Sequence, residues 1–182
     1  MKSKLFAAAC VCALSGAVAL AQQGGAGRVT ARADIKGTGI TGTAMFTERM
    51  QGTGTLVEIT LSVSGLTPGR HGVHLHAIGK CEPDFAAAGG HFDPGPSGNT
   101  DPDANHPFHM GDVPNLEVGA SGRGHLKITT TRVSLSAGPL SLFDADGTAI
   151  IVHGNPDQGV TGEPKSGVSG GPRVACGVVM KK

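Results

Sequence analysis

Apolar and polar positions alternate along much of this chain. From Thr55 to Leu66, Val57, Ile59, Leu61 and Val63 fall on one side while Glu58, Thr60 and Ser62 fall on the other. That is the period of a half-buried β-strand. Val29, Ala31, Ala33 and Ile35 repeat it, and Thr43–Arg49 is a further candidate. Leu66-Thr67-Pro68-Gly69 has turn chemistry, because proline presets one backbone angle and glycine reaches angles closed to other residues. His71–Ala77, Leu116–Val118, His125–Val133, Ala149–His153 and Val174–Met180 complete the strand-like runs. No segment reads convincingly as a helix, and there is no internal repeat. Short strands joined by turns predict an all-β antiparallel sandwich or barrel.

Two stretches break the alternation, 79–114 and 154–172. The first holds Cys81, several Pro, Gly and Asp, and three histidines, His91, His106 and His109. So long a structureless connection inside a compact domain needs a reason. Metal ligation supplies one, since bound ligands order a loop that has no core of its own.

Composition agrees with the strand reading. The 182 residues include 30 Gly and 11 Pro, with 3% aromatic residues and neither Trp nor Tyr. That length suits one domain. The start stands apart. Met1-Lys2-Ser3-Lys4 is basic, Leu5–Leu20 is apolar, and Ala19-Leu20-Ala21 has the small-x-small form of a cleavage site. The apolar run is sixteen residues, short of the ~20 that a spanning helix needs. A signal peptide over 1–21 and a mature domain over 22–182 are expected. A membrane anchor is the competing reading. Cys10 and Cys12 sit too early in the run to suit a lipoprotein signal.

Cleavage changes two counts. The formal charge of +1 loses Lys2 and Lys4, leaving 13 basic against 14 acidic residues and a charge of −1. Neither value argues for a nucleic-acid or strongly acidic partner. Of the 4 cysteines only Cys81 and Cys176 remain. In an exported chain such a pair reads as one disulfide, with two separate buried thiols as the alternative.

The histidines carry the chemistry. His74 and His76 are two apart on a strand, so both rings leave the same face. His153 ends another strand, and His91 lies in the long loop. Three or four imidazoles suit Cu, Zn, Fe or Ni. His109 and Asp112 are three apart, with His106 three before them. Nitrogen donors with one carboxylate suit zinc. His125 has no partner in the sequence and reads as a solvated strand end.

The segments GRHGVHLHAIGKC (69–81), AAGGHFDP (87–94), HMGDVPNL (109–116), LFDADGTAIIVHGNPD (142–157) and PRVACGVV (172–179) together resemble the copper/zinc superoxide dismutase family, in its bacterial exported branch. The resemblance spans essentially the whole mature chain. It implies an eight-stranded antiparallel Greek-key β-barrel with a metal-binding and an electrostatic loop. It also implies conversion of superoxide to dioxygen and hydrogen peroxide by Cu(II)/Cu(I) cycling, an antioxidant activity outside the cytoplasm, periplasmic or secreted.

The resemblance assigns roles by position. His74, His76 and His153 match copper ligands, and His91 matches the imidazolate shared by copper and zinc, which also passes a proton toward peroxide. His109 and Asp112 match zinc ligands. Arg173 matches the arginine that guides the anionic substrate to copper. Asp157 matches the carboxylate linking ligands of the two metals. His71 matches a structural brace and is not a ligand. Cys81 and Cys176 match a disulfide that ties the loop to the last strand.

The chain departs from the family at one ligand. Asn99 stands where the middle zinc histidine usually falls. His106, fifteen residues after His91, is the spare imidazole that completes a set of three nitrogens and one carboxylate. An exposed loop histidine beside a weaker, water-completed zinc site is the other reading. A non-catalytic copper protein and a zinc hydrolase compete with the enzyme. The first has no use for Arg173 at an open metal face, and the second needs a general base beside zinc, with no HExxH-type motif present. Partners other than superoxide are not indicated. Oligomeric state is left open between a monomer and a homodimer.

Overall fold

The computed structural model describes residues 28–95 and 98–182. The expected signal segment 1–21 lies outside them. Nine strands follow in chain order: β1 (Val29–Gly37), β2 (Ile40–Gln51), β3 (Gly54–Ser64), β4 (Gly69–His76), β5 (Asp112–Val118), β6 (Arg123–Thr130), β7 (Ala149–His153), β8 (Arg173–Val178) and β9 (Met180–Lys181). Around the sheet the order is β2-β3-β6-β5-β4-β7-β8-β1, and pairing of β1 with β2 closes the ring. All strand pairs are antiparallel, and the two-residue β9 continues the pairing of β8 along β1 in the same register. The chain passes over two strands between β3 and β4 and again between β6 and β7, which makes the barrel a Greek key. The expected eight-stranded barrel is the observed fold.

Alternation places the core. Val57, Ile59, Leu61 and Val63 of β3 are buried, as are Ala31, Ala33 and Ile35 of β1. Each fully buried large aliphatic side chain contributes about 1.5–3 kcal/mol. The β1–β2 hairpin turns through Thr38-Gly39, and Gly39 has φ +71°, which favours glycine.

Two strand ends differ from the sequence reading. β6 stops at Thr130, not Val133. Val133 instead tucks into the core from the loop with Leu135 and Leu142. Glu48 explains the change. It occupies an inward position of β2, is 4% exposed, and its carboxylate accepts hydrogen bonds from the N–H groups of Leu135 and Ser136 and from the Ser136 hydroxyl. That anchors the loop across the barrel end. β5 begins at Asp112, earlier than Leu116, because Asp112 and Val113 pair with His74 and Val73 of β4.

The two long loops leave neighbouring strands. Residues 77–111 connect β4 to β5, and 154–172 connect β7 to β8. The first contains one 3-10 turn, Phe85–Ala88, capped by the Asp84 carboxylate on the Ala86 N–H. Cys81 and Cys176 form a disulfide that joins this loop to β8. Among the described residues no helix is long and apolar enough to cross a membrane.

Candidate metal centre

β4 lies between β5 and β7, so its side chains face both long loops. Its alternation sends Val73 and Leu75 into the core and His74 and His76 out beneath the loops. A register shift between His71 and Val73 puts His71 out of this phase. The His71 ring lies between the carbonyls of His153, at 2.7 Å, and Thr67, at 2.9 Å. It braces β4 against the end of β7 and stands outside both ligand groups.

The loop folds back on β4. His91 pairs with His76 as an isolated bridge, the Phe92 N–H donates to the Leu75 carbonyl at 2.9 Å, and the Ala77 N–H to the Gly90 carbonyl at 2.9 Å. Gly90 is needed for this approach, because a Cβ there would lie 1.7 Å from the Thr100 carbonyl oxygen.

Four rings meet here. Ligand atoms of His74, His76, His91 and His153 all lie within 4.8 Å of one another, and all four residues are buried. One ring nitrogen of each is fastened. His76 Nδ1 donates to the Gly89 carbonyl and His153 Nδ1 to the Gly171 carbonyl, each at 3.0 Å. His74 Nε2 lies 3.0 Å from Asp157 Oδ2, and His91 Nδ1 lies 2.7 Å from Asp112 Oδ1. The other nitrogens, His74 Nδ1 and Nε2 of His76, His91 and His153, are buried without a hydrogen-bond partner. An orphaned buried polar atom is costly, and four converging ones fit a metal ion with nitrogen preference. Burial disfavours the imidazolium. It pushes His91 and His153 down to about 3 and holds His74 and His76 below the ordinary histidine value. All four rings are therefore in the neutral, ligating form at neutral pH.

A second group adjoins the first. Around the Asp112 carboxylate stand His91 Nδ1 at 2.7 Å, His109 Nδ1 at 2.9 Å and His106 Nδ1 at 3.2 Å. Ligand atoms of His74, His91, His106 and Asp112 fall within 4.8 Å of one another. His74 is the outsider there. Its Nε2 is taken by Asp157, and its Nδ1 is one of the four unpartnered nitrogens of the first group. His109, which shares an Asp112 oxygen with His106, belongs to the Asp112 side by its hydrogen bond. Burial pushes His106 down, but the Asp112 and Asp157 carboxylates outweigh it and hold the ring at about 9. Burial raises Asp112 and Asp157, and their histidine hydrogen bonds more than reverse this, keeping both well below the carboxylate range.

His106 is fully buried, with Nε2 at 2.7 Å from Asp157 Oδ1, while Asn99 is an exposed turn residue whose side chain accepts from the Asp101 N–H. Arg173 opens β8 directly opposite His153. Its guanidinium donates to the carbonyls of Phe85, at 2.7 Å, and Gly89, at 2.6 Å. His125 lies apart on β6, where its Nδ1 is 3.0 Å from the Ser62 hydroxyl, so the residue read as lacking a partner has one across the strands.

Supporting residues escaped the sequence reading. Asn115 clamps the Asp157 backbone from both sides, accepting from its N–H at 2.8 Å and donating to its carbonyl at 2.9 Å. Arg132 donates to the His109 carbonyl. Neither residue lies in a spacing that marks it.

Two adjoining imidazole clusters sharing one ring, set under the loops of a Greek-key barrel, define a two-metal protein. The family description "Copper/zinc superoxide dismutase (SODC)" matches residues 40–179. A superoxide dismutase [Cu-Zn] of Deinococcus radiodurans is 39% identical over 165 residues, covering 84% of this chain and 85% of the relative. One from Caulobacter vibrioides is 41% identical over 129 residues, covering 68% and 71%. A solved structure titled as that of the clock protein EA4 aligns with a TM-score of 0.68 and 27% identity, covering 82% of this chain and 92% of its own.

The chain belongs to the copper/zinc superoxide dismutase family. It is an oxidoreductase that converts superoxide to dioxygen and hydrogen peroxide, with copper and zinc as cofactors.

Proposed function

We propose that superoxide reacts at a copper ion held by His74, His76, His91 and His153, beside a zinc ion held by His91, His106, His109 and Asp112. The four orphaned nitrogens of the first group carry this reading. Copper supplies the one-electron redox chemistry that dismutation requires, and zinc has no such chemistry.

The remaining work falls to the chain. Arg173 binds and orients the anion. Its guanidinium cannot lose its charge at working pH, and the carbonyls of Phe85 and Gly89 fix its direction. Gly89 also fixes the His76 ring, so the arginine and a copper ligand share one anchor. When its Nε2 is not ligating, His91 takes up and passes on at that atom the proton bound for peroxide, while Asp112 orients the ring through Nδ1. Asp157 holds the rings of His74 and His106 in mutual register. Burial of every ring beneath the two loops holds its metal-facing nitrogen in place.

Residues 1–21 act as a cleaved export signal, and the mature chain works as an antioxidant in the periplasm or outside the cell, without a nucleic-acid or membrane partner. The test is metal content together with superoxide dismutation by the chain beginning at Gln22. One copper and one zinc with activity lost on copper removal supports the reading. An active copper-free protein contradicts it.

A further inference from the structure

One buried carboxylate in the His106 loop belongs to neither ligand group. Asp103 is 3% exposed. Its Oδ2 accepts from the Gly167 N–H at 2.8 Å, and its Oδ1 accepts from the Ser169 N–H at 3.1 Å and the Ser169 hydroxyl at 2.8 Å. Its carbonyl accepts from the Gly162 N–H at 2.9 Å. All four bonds cross from the 77–111 loop to the 154–172 loop. A buried carboxylate is tolerated only when so satisfied, and charge-assisted bonds of this kind are the strong ones. Burial raises the Asp103 carboxyl, and the bonds from Gly167 and Ser169 bring it below its ordinary value.

Each end of this clasp leads to a different ligand group. On one side, His106 follows Asp103 by three residues, and its carbonyl accepts from the Thr161 hydroxyl at 2.5 Å. On the other side, Ser169 leads into Gly170 and Gly171. The Gly170 carbonyl accepts from the Asn155 N–H at 3.1 Å, and the Gly171 carbonyl accepts from His153 Nδ1 at 3.0 Å. Contact there is tight, since a Cβ on Gly170 would lie 2.8 Å from the His153 Cβ. The place of residues 169–171 therefore sets the His153 ring and which of its nitrogens stays free.

We propose that Asp103 is a positioning residue that couples the two metal sites through the loops, holding His106 for zinc while fixing the segment that aims His153 at copper. This route is separate from the shared His91 ring and from the Asp157 bridge. It rests on the reading of His106 as a zinc ligand.

Asp103→Asn and Ser169→Ala test it in the full mature protein loaded with copper and zinc. Asparagine keeps the shape but turns an NH₂ toward N–H donors. Ser169→Ala deletes a single bond and spares the backbone. Asp103→Asn is expected to raise the zinc dissociation constant, measured by chelator competition, about tenfold or more. It should also alter the Cu(II) electron paramagnetic resonance signature while copper stays bound. Ser169→Ala should move both in the same direction by less. A merely structural role would lower the melting temperature and leave the zinc constant and the copper signature of the folded protein unchanged, which overturns the proposal. If Asp103→Asn does not fold, an unmoved zinc constant in Ser169→Ala overturns it equally. His106→Ala separates the two readings. If it retains wild-type zinc affinity, the ligand assignment fails. If it loses zinc while Asp103→Asn keeps both wild-type values, the coupling alone fails.

Discussion

His74 and His106 are joined through the two oxygens of one carboxylate, with Asp157 Oδ2 at 3.0 Å from Nε2 of the first and Oδ1 at 2.7 Å from Nε2 of the second. Each ring thus presents Nδ1 to its own cluster. The Asn115 amide clamps the Asp157 backbone, and the Gly159 N–H, at 2.6 Å from Oδ1, holds the carboxylate. Asp157→Asn replaces one acceptor by a donor facing an imidazole N–H. Zinc affinity is expected to fall about 10–100-fold with copper retained, as read by equilibrium dialysis.

Arg173 faces a different demand, because it must be both charged and aimed. Lysine keeps the charge but cannot donate in a fixed fork to Phe85 and Gly89. Arg173→Lys should therefore retain part of the activity, and Arg173→Ala should lose at least about tenfold and flatten the ionic-strength dependence. Metal content should match wild type in both. Unchanged activity in Arg173→Ala would remove the guidance role.

Metal-free protein should hold a proton that zinc must displace. His106 is held at about 9 by Asp112 and Asp157 against the opposing effect of burial, so its ring is charged at pH 7. Zinc binding there should release about one proton, and apparent affinity should fall as pH drops below about 9. Calorimetry in buffers of different ionisation enthalpy measures the proton count. A count of zero at pH 7 would contradict the assignment.

Glu48 gives the barrel an acid-sensitive joint. Burial raises its carboxyl, but the Ser136 and Leu135 bonds outweigh that and leave it below the ordinary value of 4.5. The unfolded chain therefore binds this proton more readily than the folded one. The contribution is fully present above pH 4.5 and is lost as pH falls through the folded value. Glu48→Gln should cost about 1–3 kcal/mol at pH 7 and less in acid, measured by urea unfolding across pH.

β8 carries Arg173 and Cys176, and the disulfide from Cys176 reaches the loop that presents Phe85 and Gly89. Cys176→Ser should destabilise the protein by about 2–5 kcal/mol. It should also reduce activity more than metal content, because Gly89 anchors both Arg173 and His76.

Strand alternation made most of the barrel legible, since each strand buries one face and the side-chain period is two. β5 was legible only from Leu116 onward. Its first residues, Asp-Val-Pro-Asn, lack alternation and become a strand only by pairing with β4. The candidate histidines stood out by spacing and resemblance; His74, His76, His91, His106 and His153 fall in two adjoining groups, and His109 joins them through its hydrogen bond to Asp112. Their supports did not stand out. Asn115 and Asp157 are 42 residues apart, and Asp103 and Ser169 are 66 apart. A hydrogen bond across such a span leaves no local period, and an Asp or Asn in a polar loop looks the same whether it is solvated or holds two loops together.

The most direct measurement is superoxide dismutation by copper- and zinc-loaded His153→Ala beside the wild-type chain. The ring removed here contributes only to the first cluster. Loss of dismutation and of the copper visible band, with zinc still bound, is the predicted result. Wild-type activity in His153→Ala would contradict a copper site built on these four rings.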